Sequence, residues 1–326
     1  MLRVLIDRRH RNSKFVYYVR STAAMLMPRR RHVRRIAGVA GRTGHHDRDL
    51  LERLDYCNQI TAPRVIHDTS SIAEFLSLKK TAYHRDLLPH LLCFEASRRF
   101  RFLFGDVIHV PPEPTFVKSR PIDGDIANSV LMKLDSPRHF CFVTDERPFV
   151  SKRPSLVWRG RLHLKSRKER RLDFLRQFHG APFCDIGHVN GGDVHPEYRR
   201  SPLSIGDQLA YKYILSLEGK DVATNLKWIM SSNSLCLTPR PRYETWFMEG
   251  RLVPDHHYVL IADDFRDVEE KIMHYERHPE EALRIIHNAN AYVQQFLDGD
   301  REALLGHMVV ARYFAYCAPP AAAAAA

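Results

Sequence analysis

The sequence predicts an α/β protein of two domains, with a parallel sheet in the second domain. A chain of 326 residues is long for one hydrophobic core and sufficient for two. From about residue 155 onward, short apolar strands alternate with amphipathic helical segments, which is typical of a parallel sheet with helices on its faces. The segment LEGKDVATNLKW, Leu217 to Trp228, turns on Gly219 directly after an apolar run, as ligand-binding loops at the carboxyl ends of parallel strands do.

The composition argues against several classes of protein. Hydrophobic residues make up 44% of the chain, which is ordinary for a globular protein, and the longest apolar runs are too short to span a bilayer. The N-terminus has no uninterrupted apolar signal core, so we expect a cytosolic chain. Six cysteines are scattered singly without a CxxC pair, which argues against a zinc cage or a disulfide framework and favours reduced thiols.

The charge predicts a polyanionic partner. The formal net charge is +12, and the first third of the chain carries the basic clusters RRHR, PRRRHVRR and ASRRFR. The amphipathic segment KFVYYVRSTAAMLM, Lys14 to Met27, precedes the second cluster, which fits a helix lying on an anionic membrane surface. An equally acceptable interpretation is a solvated basic helix packed on its own domain.

The first domain is less regular than the second. Its pattern predicts helices at Lys14 to Met27 and at His46 to Ile60, and strands at RFRFLFGD, PTFVKSR, SVLMKLD and HFCFVTD. The segment ERPFVSKRPS interrupts the pattern, so the domain boundary is predicted between Asp145 and Ser155. The predicted ranges are residues 1–150 for the first domain, 151–300 for the second, and 301–326 for a final helix and an Ala-rich tail.

The sequence pattern predicts alternating strands and helices in the second domain. The predicted strands are LVWRG, APFCDIG, YKYILSL, SLCLTP and HHYVLI; the predicted helices are SRKERRLDFLRQF, VATNLKWIM, RYETWFMEG, DVEEKIMHYERH and PEEALRIIHNANAYVQQFL. The VATNLKWIM helix would begin just beyond a strand. Its unpaired N–H groups and dipole would favour an anion such as a phosphate.

The segment Leu217 to Trp228 therefore contains candidate phosphate-binding positions. These are Gly219, Ala223, Thr224, Asn225 and Lys227. Lys227 has a competing interpretation as an ordinary exposed helix cation.

Six stretches carry a family resemblance. They are FGDVIHVPPEPTFVKSRPI, VWRG, CDIG, YKYILSLEGKDVATNLKWIMSSNSLCL, YETWFMEGRLVPDHHYV and DDFRDVEEKI. Their order and spacing resemble glycosyltransferase family 90, which includes eukaryotic protein O-glucosyltransferases, fungal capsule-associated proteins and bacterial lipopolysaccharide core transferases. The resemblance is closest to the bacterial group and covers roughly residues 80 to 300.

The resemblance implies a GT-B architecture, in which two Rossmann-like domains face each other across a cleft. The first domain would serve the acceptor and the second would bind the nucleotide sugar. The implied reaction is a metal-independent, inverting transfer from a UDP-sugar, with no cofactor. We expect a hexose, glucose or galactose, to be added to a sugar hydroxyl of the lipopolysaccharide core. The enzyme would then work as a peripheral protein on the cytoplasmic face of the bacterial inner membrane, without a nucleic acid partner.

The resemblance and the chemistry together assign donor-side residues. Arg159, followed by Gly160, ends the strand VWRG, where a guanidinium can hold diphosphate oxygens and neutralise charge on the departing UDP. Members of the family that this chain resembles carry a serine and an arginine near the positions of Ala223 and Asn225. Here Thr224, Asn225 or Lys227 would have to supply the phosphate contacts of those two side chains. Glu244 in RYETWF is expected to accept the ribose hydroxyls.

Acceptor-side residues are predicted around the end of the strand FRFLFGD. Asp106 ends that strand and is the candidate general base, which would take the proton of the acceptor hydroxyl. The base of eukaryotic relatives lies in a similar segment; the competing interpretation is an Asp that stabilises a turn. Lys118, Ser119 and Arg120 in FVKSR are expected to line the same cleft.

Two other functions fit parts of the sequence. The DGD turns at Asp123–Asp125 and Asp298–Asp300, with the adjacent pair Asp263 and Asp264, allow a manganese-dependent transferase of the GT-A type. The basic first third, with interleaved aromatic residues, allows a nucleic-acid-binding module. No zinc finger, RNP motif or basic heptad segment accompanies it.

Overall fold

The computed structural model describes residues 14–43, 47–162 and 170–320. The helices are α1 (Lys14–Leu26), α2 (Arg29–Thr43), α3 (Arg48–Cys57), α4 (Ile72–Ser77), α5 (Ala82–Leu91), α6 (Ser136–His139), α7 (Arg170–Phe178), α8 (Ile205–Gln208), α9 (Leu226–Met230), α10 (Val268–Arg277), α11 (Pro279–Gln294) and α12 (Gly299–Tyr316). Among these helices, none combines the length and the hydropathy that crossing a membrane requires.

Most strands are short. They are β1 (Arg64–Val65), β2 (Ser70–Ser71), β3 (Arg99–Phe100), β4 (Phe102–Leu103), β5 (Thr115–Val117), β6 (Ser119–Pro121), β7 (Ser129–Leu131), β8 (Arg153–Gly160), β9 (Cys184–His188), β10 (Tyr211–Leu215), β11 (Leu235–Thr238), β12 (Tyr243–Thr245), β13 (Val259–Leu260) and β14 (Cys317–Ala318).

The chain forms two compact units whose sequences interleave. The central unit comprises His139–Pro241 and Gly250–Gln295. The N-terminal unit comprises Lys14–Arg138, Arg242–Glu249 and the residues from Phe296 onward. These ranges differ from the contiguous domains expected from the sequence because β12 pairs with β6, and α12 packs against α2, α3 and α5.

The central unit has the parallel sheet that the alternating pattern predicts. Its five strands are all parallel and lie in the order β13-β11-β10-β8-β9. Numbered along the chain from β8, this is the flavodoxin-like order 2-1-3-4-5, read from the β9 edge. The direction of winding reverses between β8 and β10. That point is where open α/β sheets form a ligand crevice beyond the carboxyl ends of their strands.

The core of the central unit explains its strand sequences. Leu156, Tyr213, Leu235 and Val259 come from four neighbouring strands and are fully buried, while Phe174 of α7 is buried in the same cluster. Strands buried on both faces need near-continuous apolar runs, as in YIL of β10 and LCL of β11. The apolar runs therefore mark this sheet in the sequence.

The N-terminal unit contains a smaller parallel sheet of β4, β5 and β7, in that order. Phe116 and Val130, on the two longer strands, are fully buried. No helix joins these strands, in contrast to the central unit, because the described segments 104–114 and 118–128 contain only turns and β6. Parallel strands and helices are thus present in both units, and the Rossmann-like alternation is found in the central unit.

Several predicted elements differ from the structure. The helix predicted at Val222–Met230 begins only at Leu226. The segment RYETWFMEG is not a helix, since Tyr243–Thr245 forms a strand antiparallel to β6. The predicted strand HFCFVTD has no ladder partner, and α2 was not predicted.

A single buried carboxylate joins four segments of the N-terminal unit. Glu302 of α12 accepts hydrogen bonds from Arg53 of α3 at 2.6 Å, from Lys133 beyond β7 at 2.8 Å, and from the Trp246 indole beyond β12 at 2.8 Å. Arg53 and Trp246 are fully buried. Removing one partner of such a group leaves an uncompensated charge in the interior, which is more costly than losing a surface ion pair.

We predict that Glu302→Ala lowers the free energy of unfolding by about 3–5 kcal/mol, because it leaves Arg53 buried without its carboxylate. Arg35→Ala is the matched control, since it removes a half-exposed ion pair to Asp300 on the same helix and should cost at most about 1 kcal/mol. Equilibrium urea denaturation followed by circular dichroism measures both. Equal losses in the two variants would contradict the prediction.

Candidate functional site

One candidate site lies at the carboxyl edge of the central sheet. Arg159 is the last side chain of β8, and the segment Ser216–Asn225 follows β10. Because Val157 of β8 is level with Ile214 of β10, Arg159 and Ser216 leave the sheet side by side. They therefore occupy the two sides of the switch point, as the sequence predicted for a ligand site.

Asn225 holds the segment after β10 in place. Its amide donates to the carbonyl of Leu215 at 2.9 Å, and its side-chain oxygen accepts from the Ser216 hydroxyl at 3.2 Å. Thr224 and Gly219 are half-buried, while Ala223 is buried. Asn225 thus stabilises the backbone of the loop, and α9, with five residues, begins too late to include Ala223 or Thr224 in its first turn.

Lys227 is not an exposed helix cation. Its side chain is fully buried, and its ammonium lies 5.7 Å from the centre of the Phe140 ring. The competing interpretation from the sequence is therefore wrong. A lysine in this position is part of the interior of the central unit.

The guanidinium of Arg159 binds extensively within the central unit. Nε donates to the carbonyl of Ser201 at 3.1 Å, and Nη1 donates to the carbonyls of Asp185 at 2.7 Å and Trp158 at 3.0 Å. Nη2 donates to the Asp185 carboxylate at 2.6 Å, and the side chain is only 8% exposed. Arg159 therefore joins β8, β9 and the loop before α8, and Asp185 offsets its charge.

Asp185 is held in its ionised form. Burial raises the pKa of this carboxyl, but hydrogen bonds from Tyr211 and Arg159 outweigh burial and bring the pKa below its ordinary value. An arginine, an aspartate and a tyrosine on three adjacent strands thus form one network. Sequence reasoning singled out Arg159 and missed Asp185 and Tyr211, because their pairing depends on strand order.

The indole ring of Trp158 requires a glycine at position 160. A Cβ atom at Gly160 would lie 2.3 Å from the Trp158 ring, closer than any real contact of that kind. The guanidinium of Arg171 covers the same ring at 5.9 Å, which restricts its movement. The glycine of VWRG therefore makes room for Trp158. This steric requirement explains a glycine at position 160 without a bound phosphate.

A separate candidate site lies at the carboxyl edge of the small sheet in the N-terminal unit. Asp106 follows β4 and Lys118 follows β5, the adjacent strand. The ammonium of Lys118 is fully buried and donates to Asp106 Oδ1 at 2.6 Å, while the Asp106 side chain is 21% exposed. The structure thus brings together the predicted base and one predicted acceptor-side residue.

Three residues that sequence reasoning missed surround this pair. Arg138 lies 3.9 Å from Asp106 and 3.8 Å from Asp135, which follows the third strand of the sheet. Burial raises the pKa of the Tyr83 phenol, and the charges of Lys118, Asp135 and Asp106 also act on it. Asp135 was detectable in principle, because SVLMKLD ends like FRFLFGD and parallel strands share one carboxyl edge.

Ser119, Arg120 and Glu244 are internal contacts of the N-terminal unit. The Ser119 hydroxyl bonds to the backbone of Val107. Arg120 donates to Glu244 at 2.8 Å, and Tyr56 donates to the other Glu244 oxygen. All three predicted site residues are buried, so they are placed to support β6 and β12 rather than to meet ribose or acceptor hydroxyls.

The DGD turns make local contacts. Asp298 caps α12 by accepting from the N–H groups of Asp300 and Arg301, and Asp125 accepts from the N–H of Ala127 beside Gly124, whose φ is +97°. Such bonds are the usual reason for aspartate in turns. Within the described residues, the one group of three potential metal ligands is His278, Glu280 and Glu281, outside both carboxyl edges.

Comparison with known proteins gives a consistent result. The family model described as glycosyl transferase family 90 matches residues 141–313, a range that includes Arg159 and the segment after β10. The chain is 45% identical over 271 residues to the O-glucosyltransferase LpsA of Dichelobacter nodosus, covering 83% of this chain and 84% of that protein. It is 30% identical over 115 residues to the uncharacterized protein 179R of Invertebrate iridescent virus 6, covering 33% of this chain and 9% of that protein.

We predict that Asp185→Asn destabilises the central unit by about 1–2 kcal/mol at neutral pH, because it removes the charge that offsets Arg159. The partial exposure of Asp185 puts the loss at the low end for a bond between charged groups. Since the folded pKa is below the ordinary value, the contribution is present above that value and is lost as the pH falls through the folded pKa.

The difference between the native chain and Asp185→Asn should therefore stay constant from about pH 8 to about pH 5 and shrink only in stronger acid. Urea denaturation across this range measures it. Asp173→Asn, in an exposed pair with Arg176, is the control and should have little effect. A difference that already shrinks between pH 7 and pH 5 would show that the Asp185 pKa is not lowered.

Proposed function

Because this chain belongs to glycosyltransferase family 90 and is therefore a transferase, we propose that it moves a hexose from a UDP-sugar to a sugar hydroxyl of the lipopolysaccharide core, with inversion and without a metal. Glucose is the first candidate, because the relative that is 45% identical is named an O-glucosyltransferase. Galactose remains the second candidate. The proposal includes the GT-B arrangement that the resemblance implies.

The observation that carries the donor half is that Arg159 ends β8 beside the point where the segment Ser216–Asn225 leaves β10, at the switch point of the central sheet. We place the UDP diphosphate there, against the loop backbone and the guanidinium. A guanidinium has five N–H groups, and the described protein acceptors engage four of them in Arg159. Binding through more than one N–H would require the phosphate to displace one of these acceptors.

The acceptor half of the proposal rests on Asp106 as general base. A carboxylate must be ionised to accept a proton, and a cation in hydrogen-bond contact favours the ionised form. Lys118 provides that contact, and its buried ammonium also fixes the position of Oδ1. Lys118 is therefore proposed as a positioning residue. The sequence predicted Lys118 as a residue that lines the acceptor cleft, and the proposal now has it act through the base.

The proposed transfer balances as a single displacement. Asp106 takes the proton of the acceptor hydroxyl, and the oxygen attacks the anomeric carbon from the face opposite UDP. The bond between that carbon and the phosphate oxygen breaks, and UDP leaves with the electron pair. Positive groups near the diphosphate stabilise the charge that develops on it.

The acceptor and the location are proposed from the name of the relative and from charge. LpsA suggests a lipopolysaccharide acceptor, which carries phosphate groups. Residues 14–43 of this chain hold eight Lys or Arg residues and no Asp or Glu, which suits an anionic membrane surface. We therefore propose peripheral attachment to the inner face of the bacterial inner membrane.

The donor assignment predicts selective stabilisation by UDP-sugars. At about 100 times Kd, a ligand of the folded state adds about 2.7 kcal/mol, which raises Tm by several degrees. UDP-glucose should produce this shift with and without EDTA, and UDP-galactose should be tested beside it. A shift that disappears with EDTA and returns with manganese would support the metal-dependent alternative. No shift with any UDP-sugar would count against the donor class.

The base assignment predicts that Asp106→Asn lowers the transfer rate by about 10²–10⁴-fold, since an amide cannot accept the proton. The Tm shift with UDP-glucose should remain, because Asp106 does not contact the donor in the proposal. The matched control is Asp123→Asn, at an exposed turn of the same unit, which should retain activity. Radiolabelled transfer from UDP-glucose to purified lipooligosaccharide provides the assay. Full activity in Asp106→Asn would exclude it as the base.

A further inference from the structure

An apolar cavity of about 470 Å³ lies within the N-terminal unit, among α2, α3 and α12. One stripe of α2 forms a wall: Val33, Ile36, Ala37 and Ala40 are spaced by three or four residues and so share a face. Opposite them lie Leu50 and Leu51 of α3, Phe94, and Leu304 and Met308 of α12. Although α2 packs against α12, Val33 and Ala37 of this face stay exposed, which leaves room for an apolar ligand.

Neither of the two polar residues in the cavity wall carries an unbalanced charge. Asp47 is bound by Arg301, with Nη1 2.8 Å from its carboxylate, so its charge is offset. Burial lowers the pKa of His307, which favours the neutral imidazole. The remaining lining residues are hydrocarbon or sulfur side chains. The chemistry of the cavity therefore fits an alkyl chain.

Positive charge flanks the cavity. Arg30 and Arg34 lie one helical turn apart on α2, and each precedes a lining residue, Val33 or Ala37, by three positions. Both arginines are exposed, and neither makes an ion pair with any residue in the described part of the chain. Their neighbours Arg29 and Arg35, by contrast, are paired with Glu95 and Asp300. An anionic head group would thus find two guanidinium groups beside an apolar cavity.

The surrounding surface matches a bilayer better than an isolated ligand. Val19 and Leu26 of α1 and Val33 of α2 are exposed, Leu26 by 79%, although each is apolar. The same two helices carry only basic charges, as residues 14–43 include no acid. Exposed apolar side chains among basic ones are typical of helices that lie at a membrane interface.

We propose that this cavity binds one acyl chain of an anionic phospholipid, with the phosphate of the head group at Arg30 and Arg34. In this proposal, the protein attaches to a membrane through a defined lipid site as well as through general electrostatic attraction. It concerns a site separate from the two carboxyl edges, and its test does not require sugar transfer.

Cys93 provides the measurement because it lines the cavity. Cys93 and Cys184 are half-buried, whereas the other four cysteines are buried. A Cys184→Ser chain therefore reports alkylation at Cys93. With phosphatidylglycerol vesicles at about ten times Kd, alkylation should slow about tenfold, in proportion to the unliganded fraction. Phosphatidylcholine vesicles should have much less effect.

Two variants separate the cavity from the surface charge. Ala37→Trp fills the cavity and should remove protection of Cys93 by lipid, while sedimentation with anionic vesicles persists. Arg30→Ala combined with Arg34→Ala should reduce the preference for phosphatidylglycerol, and Arg35→Ala, which removes a guanidinium paired with Asp300, is the control. A native-like circular dichroism spectrum and a cooperative thermal transition show that each variant is folded.

A photoreactive acyl chain on phosphatidylglycerol gives an independent readout in the otherwise native chain. Crosslinks should map by mass spectrometry to residues 33–40 or 304–308. Vesicle binding without protection of Cys93 would overturn the proposal in favour of surface attraction alone. Protection by lipooligosaccharide but not by phosphatidylglycerol would overturn it in favour of the acceptor lipid. If Cys93 is protected from alkylation without lipid, and deleting residues 1–13 removes that protection, a segment of the chain itself would occupy the cavity and the proposal would be overturned.

Discussion

The bond network between Arg159 and Asp185 controls what the carboxyl edge of the central sheet can do. A guanidinium that bridges three backbone carbonyls and a carboxylate fixes β8, β9 and the loop before α8 relative to one another. The same network limits direct contact with a diphosphate, because a buried arginine already holds a negative partner. Under the proposed function, a diphosphate that contacts more than one N–H of Arg159 would have to displace one of these acceptors. Asp185 is the negatively charged acceptor among them, and its carboxylate would compete with the phosphate for the guanidinium.

Local sequence patterns predicted the features that depend on local order. The alternating apolar runs predicted the parallel sheet of the central unit, and the rule that parallel strands share a carboxyl edge pointed to Arg159 and to the segment after β10. Asp106 was predicted from its place at the end of FRFLFGD and from the family resemblance, and Lys118 was expected in the same cleft; the structure places them after adjacent strands, and their functions stay predictions. Asp135 obeys the rule of the shared carboxyl edge too, since SVLMKLD ends in an aspartate as FRFLFGD does.

Features that depend on distant pairing could not be predicted in this way. The segment YET is three residues long, and only its ladder with β6, more than 100 residues earlier, makes it a strand. That pairing buries Glu244 against Arg120, so a carboxylate that the sequence offered to a ribose is used inside the protein. Lys227 is a similar case, since its burial beside Phe140 depends on packing that no periodicity reveals. Charged residues in short elements are therefore the least predictable part of the site.

The positive charge of the chain is a local feature, and this bears on what it attracts. Residues 14–43 contribute +8 of the net +12, which leaves +4 for the other 296 residues. Attraction to α1 and α2 acts over about one Debye length, roughly 8 Å at physiological salt, and weakens as salt is added. Burial of an alkyl chain in the cavity beside α2 responds in the opposite direction, since excluded salts strengthen apolar burial. The electrostatic and apolar parts of membrane attachment are thus physically distinct in this chain, and salt separates them without any substitution.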